Sequence, residues 1–150
     1  MVAAPKSNAS KEDREKADAM LARMRAKAFR MVMDGTSWLS ATELFAELPD
    51  KPLNADTMLA GWLEQGRIFA LEKNGVPIYP RYAFDAMLEP VPIVREVLEV
   101  LRGRAPFQIA AWFESATTYL DGKRPREVLV EEGAAVVIAA QRMVEGPVHG

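Results

Sequence analysis

The sequence predicts a mainly α-helical chain: an N-terminal helix, a helix-turn-helix with a small β-hairpin, and a C-terminal module of four helices. Three observations carry that expectation. Helix-forming runs with apolar residues every three or four positions recur along the chain, each closed by a capping residue, Gly or Pro. One stretch alone, Arg67 to Tyr79, reads as strand, Asn74-Gly75 turn and returning strand. The stiff connector Glu89-Pro90-Val91-Pro92 then separates a first module, 11–89, from a second, 90–150, with 1–10 expected to be a disordered lead-in.

Taken in order, Lys11 to about Met33 contains strong helix formers and neither Gly nor Pro. Met20, Leu21, Met24, Ala28, Met31 and Val32 form an apolar stripe along it. That stripe either packs on its own domain or drives self-association, and Asp34-Gly35 ends the helix. Ser40-Ala41-Thr42-Glu43 is a capping box, with Leu39 and Leu44 at the positions of a hydrophobic staple, and it opens a helix to about Leu48. Asn54 is expected to cap a second helix reaching Gln65, which Gly66 terminates. Pro77 and Pro80 should confine the returning strand to a sheet edge.

In the second module, Pro92 opens a helix with Ile93, Val94, Val97, Leu98 and Leu101 on one face, stopped by Gly103. A Trp-containing helix is expected from Phe107 to about Leu120, a short one from Pro125 to Glu132, and a last from Ala134 to Glu145. Trp112 and Phe113 are adjacent, so a narrow core stripe holds one and leaves the other near the surface, unless a small bundle absorbs both.

The composition excludes several classes of function. Apolar residues make up 49% and charged residues 27%, the profile of an ordinary globular protein, and no apolar run is long enough to span a bilayer. There is no Cys and one His, which removes disulfides, thiolate nucleophiles and His-based metal clusters, and a cytoplasmic location fits. No Gly-rich phosphate loop or His-Glu-X-X-His pattern is present, Ser115 and His149 have no orienting partner, and Glu131-Glu132 diverge on a helix. The expectation is a non-enzyme without cofactors. A net charge of −2 argues against a generally basic nucleic-acid surface. The second helix of the helix-turn-helix nevertheless offers Asn54, Thr57 and Gln65, with Arg67 just beyond, as base-reading or phosphate-binding groups, opposed by Asp56 and Glu64.

The most specific feature is the order Trp112-Phe113, Leu120-Asp121-Gly122-Lys123-Arg124-Pro125, Leu129, then Val144 to Gly150. It is preceded by Ile68-Phe69-Ala70-Leu71, Ile78-Tyr79-Pro80 and Phe84-Asp85. From about Trp38 to the end, the chain resembles the Xre/MbcA/ParS family of bacterial antitoxins with a C-terminal toxin-binding domain. The resemblance implies a protein that neutralises a co-expressed, NAD-consuming toxin, often of the RES-domain type, by occluding its active site. It assigns toxin contact to Trp112, Asp121, Gly122, Lys123, Arg124, Pro125, Val148, His149 and Gly150. It also implies autorepression of the operon through the helix-turn-helix, and a homo-oligomer. The alternative is a stand-alone winged-helix transcription regulator.

Overall fold

The computed structural model describes residues 7–146. The described chain is mainly helical, with one small antiparallel sheet. The expected lead-in falls largely on residues 1–6, and Val148, His149 and Gly150 lie beyond residue 146, so all of these are outside the described residues.

The first helix, α1, spans Ser7–Asp34, four residues earlier than expected. Its packing decides between the two uses of the apolar stripe only at one end. Val32 is buried, Met33 is partly buried and Phe29 stacks on Phe107 at 6.4 Å, while Met20, Leu21, Met24 and Met31 stay exposed. The stripe as a whole is not absorbed by the chain's own core.

After α1 comes β1, Trp38–Leu39, a strand that two residues are too few to announce by alternation. Trp38 Nε1–H donates to the Val32 carbonyl at 2.9 Å, tying the end of α1 to this strand. Helix α2, Ala41–Phe45, is shorter than expected, and its capping box is present. The Glu43 N–H donates to Ser40 Oγ at 3.3 Å, and the Ser40 N–H donates to Glu43 Oε1 at 3.0 Å. Helix α3, Ala55–Glu64, follows, but Asn54 makes no side-chain cap hydrogen bond, contrary to the expectation. Its φ of −115° and ψ of 37° depart from the extended geometry an N-cap needs.

The hairpin forms between β2, Leu71–Lys73, and β3, Val76–Pro80, with Leu71 opposite Ile78. Arg67 to Ala70 is not strand; Ile68 and Phe69 are buried there as core residues. The expected edge position of β3 is also corrected, because the strand order is β1-β3-β2. Proline is tolerated because the two neighbours cover different halves of β3. Pro77 faces only Glu72 of β2, and Pro80 faces only Trp38 of β1. Each proline thus sits where the other side of the strand has no ladder to complete.

Among the described residues, the C-terminal part has three α-helices and two 3₁₀ turns in place of four helices. Helix α4, Pro92–Val100, buries Val94 and Val97 as its pattern requires. Helix α5 is Pro106–Phe113, so the expected Trp helix stops seven residues early, and Thr118–Leu120 is a separate 3₁₀ turn. Pro125–Glu127 is likewise a 3₁₀ turn, and α6 spans Gly133–Glu145. Trp112 and Phe113 are both buried, so of the two alternatives the fold takes the one in which the core absorbs both. Phe113 stacks on Phe69 at 5.6 Å and meets Tyr82 at 5.1 Å, while Trp112 packs edge-on to Phe113 at 5.2 Å. Helix α5 therefore has core on more than one side. A single cluster of buried side chains runs through both 11–89 and 90–150, from Leu44 and Leu59 to Val136 and Ala140.

Candidate functional site

The segment from Glu114 to Glu132 is built around one buried carboxylate. Glu114 ends α5 with 3% of its surface exposed. Arg126 Nε donates to it at 2.7–2.8 Å, and Arg124 Nε lies 3.9 Å from the same carboxylate while donating to the Glu114 carbonyl at 3.1 Å. A carboxylate taken out of water requires such partners, since its desolvation costs several kcal/mol and only close, hydrogen-bonded cations offset it. Arg124 also pairs with Glu127 at 3.0 Å, and its own N–H donates to Glu127 Oε2 at 3.2 Å. That backbone N–H, and secondarily the guanidinium, hold the Glu127 carboxyl below its usual range.

This cluster holds the downstream end of the turn at Arg124, next to buried Pro125, while the upstream end is set by buried Leu120. Between them Asp121 (φ 57°) and Gly122 (φ 80°) are left-handed, a pair of conformations that Asp tolerates and Gly adopts freely. The Gly122 N–H donates to the Thr117 carbonyl at 2.8 Å, and Thr117 bridges to Lys123. Asp121, Gly122 and Lys123 are exposed, while Arg124 is half-buried and Pro125 buried. Lys123 makes a 3.3 Å ion pair with Glu132. The two cations of the turn are therefore engaged within the chain, and Trp112 is a core residue.

Sequence reasoning missed two exposed residues of this segment. Tyr119, directly before the turn, is 58% exposed, and Val130 is 72% exposed, both large side chains in water. The reading of one helix to Leu120 hid Tyr119, because seven residues on from Trp112 it would share the buried face. The end of α5 at Phe113 turns it outward. Glu114, buried just after that helix end, carried no signal of its own in the sequence.

In the N-terminal part, Asn54, Thr57 and Gln65 are exposed on or beside α3, and so are Asp56 and Glu64. Arg67 is half-buried, its guanidinium 5.8 Å from the centre of the Trp62 ring. The four residues expected to meet DNA thus divide into three free polar groups and one cation leaning on an aromatic face.

No family model matches the chain, and neither a curated protein nor a solved structure matches it. Among the described residues no helix is long and apolar enough to cross a membrane.

Proposed function

We propose that the chain is the antitoxin of a toxin–antitoxin pair, and that its C-terminal part binds and occludes a co-expressed NAD-consuming toxin of the RES-domain type. The reading rests on the ordered resemblance given above. The observation that carries it is the turn Asp121-Gly122-Lys123, exposed between buried Leu120 and Pro125 and directly preceded by exposed Tyr119. An aromatic side chain next to a charged rim is the usual composition of a protein-binding anchor. Positive-φ backbone closed by the Gly122-to-Thr117 and Thr117-to-Lys123 hydrogen bonds gives that anchor a preformed shape, so little conformational entropy is lost on docking. Chemistry in this system belongs to the partner, and the chain acts by covering its pocket with Val148, His149 and Gly150.

The test is co-expression with the product of the adjacent reading frame. The expected result is a complex that copurifies and a toxin that is silent. Tyr119→Ala and Lys123→Ala should each break copurification by tenfold or more, while the melting temperature of the free chain changes only slightly, since the Lys123–Glu132 pair is exposed. Deleting Gly146 to Gly150 should leave the complex intact and release toxicity. A complex indifferent to Tyr119, Lys123 and the tail would sink the assignment of this surface.

Autorepression is part of the proposal, supported by the exposure of Asn54, Thr57 and Gln65 on a helix that follows a capped α2 and precedes a hairpin. Binding to the upstream promoter should weaken steeply with salt, as phosphate contacts require. No mobility shift at low salt would leave these helices as scaffold.

A further inference from the structure

Every residue of α1 from Ser10 to Lys27 is exposed. A helix of that length without packing is marginal in water, because most helical stability in proteins comes from burying an apolar face. The exposed side chains include Met20 at 56%, Leu21 at 46% and Met24 at 59%. Within the stripe, Ala17, Leu21, Met24, Ala28 and Met31 follow spacings of four, three, four and three, a heptad seam. The residues that touch the chain's own body, Phe29, Val32 and Met33, lie about a third of a turn away around the helix, so the seam faces outward.

Charge along α1 is uneven. Lys11 to Asp18 contains Glu12, Asp13, Glu15 and Asp18 against Lys11, Arg14 and Lys16, whereas Arg23, Arg25, Lys27 and Arg30 meet no acid before Asp34. A parallel partner would set Asp13 beside Asp18 across the seam and give Arg25 and Lys27 no acidic partner there. An antiparallel partner sets the acidic half over the basic half. One register suits it: Leu21 packs against Met24 of the other helix and Ala17 against Ala28, with Asp18 flanking Arg25 on both sides of the two-fold axis. Sliding one heptad either way brings Asp18 onto Asp18, or Arg25 onto Arg25 and Lys27 onto Lys27.

We propose that α1 is a dimerisation helix whose Ala17-Leu21-Met24-Ala28 seam pairs antiparallel with the same seam of a second copy of this chain. The pairing does not depend on the toxin-binding reading. It is isologous, as a two-fold interface must be, and it leaves the Asp121–Lys123 turn of each copy free.

Light scattering on the full chain at tens of micromolar should give twice 16.6 kDa. The double variant Leu21→Glu/Met24→Glu changes only exposed side chains, so the mass should halve and any loss of helical signal should be confined to the unpacked part of α1, with the thermal transition of the core kept. The chain has no Cys, which makes disulfide mapping clean. Oxidised Ala17→Cys/Ala28→Cys should cross-link into a dimer, while either single variant should not, because like positions lie about 16 Å apart along an antiparallel pair. Asp18→Arg should weaken the dimer at least tenfold and Asp18→Arg/Arg25→Asp should restore it. The proposal is overturned by a monomeric full chain, including one that instead binds anionic lipid vesicles through α1. It is equally overturned by a dimer that survives Leu21→Glu/Met24→Glu, or by cross-linking of the single cysteine variants.

Discussion

At the scale of single residues, two groups near the seam between the halves of the chain set what the fold tolerates. The Tyr82 hydroxyl is buried with no hydrogen-bond partner, and burial, then the nearby Glu114 carboxylate, push it well above the usual tyrosine range. The fold thus favours neutral tyrosine. Its contribution is fully present below the unfolded value of 10.0 and is lost as pH rises from there toward the folded value. Tyr82→Phe should therefore flatten the alkaline limb of the stability curve above pH 10. At neutral pH it should be stabilising by about 1 kcal/mol, since an unpaired buried hydroxyl is removed without leaving a cavity. Denaturant titrations at pH 7 and pH 10.5 read both effects, and an unchanged difference between the two pH values would contradict the assignment. Gly35 is the counterpart. A Cβ there would fall onto the Glu114 carboxylate, which Arg126 and Arg124 hold in place. Gly35→Ala should cost about 3 kcal/mol, the scale of a disrupted buried ion pair, and Gly35→Ala/Glu114→Ala should not add to Glu114→Ala alone, which a double-mutant cycle measures.

At the scale of elements, capping separates two helices that look alike in sequence. Ser40 closes a reciprocal box with Glu43, whose carboxyl is held below its usual range first by the Ser40 backbone N–H and then by the Ser40 hydroxyl. Asn54 stands at the corresponding place on α3 and caps nothing. Ser40→Ala should destabilise the chain by about 1 kcal/mol. Asn54→Ala should stay within about 0.5 kcal/mol, as exposed substitutions do. Thermal melts of the two variants check this, and they make Asn54→Ala a clean probe of DNA contact, free of a stability effect. The central position of β3 follows the same logic of local supply and demand: a strand with two prolines serves two neighbours only because they never overlap along it.

For the molecule as a whole, the consequential contacts join the two parts of the sequence. Phe69 and Tyr82 pack on Phe113, and Gly35 makes room for Glu114. Residues 90–150 expressed alone would leave Phe113 with one face in water, and burial of such a ring is worth about 2–3 kcal/mol. That loss is large for a fragment of this size. The fragment should therefore lack a cooperative thermal transition in calorimetry. A sharp transition would show that the C-terminal part is stable without Phe69 and Tyr82.

Local interactions were legible from the residues alone: the Ser40 box, the Asn74-Gly75 turn, the buried face of α4 and the stop at Gly103, because each is decided within a few neighbours. The candidate turn was legible too, as Leu120 to Pro125. What supports it was not. The end of α5 at Phe113, the burial of Trp112 beside Phe113, the outward rotation of Tyr119 and the free face of α1 all depend on packing between distant segments. Periodicity marks which side of a helix prefers to leave water. Only the assembled chain decides how many sides find cover, because burial is a property of what arrives from elsewhere in the sequence.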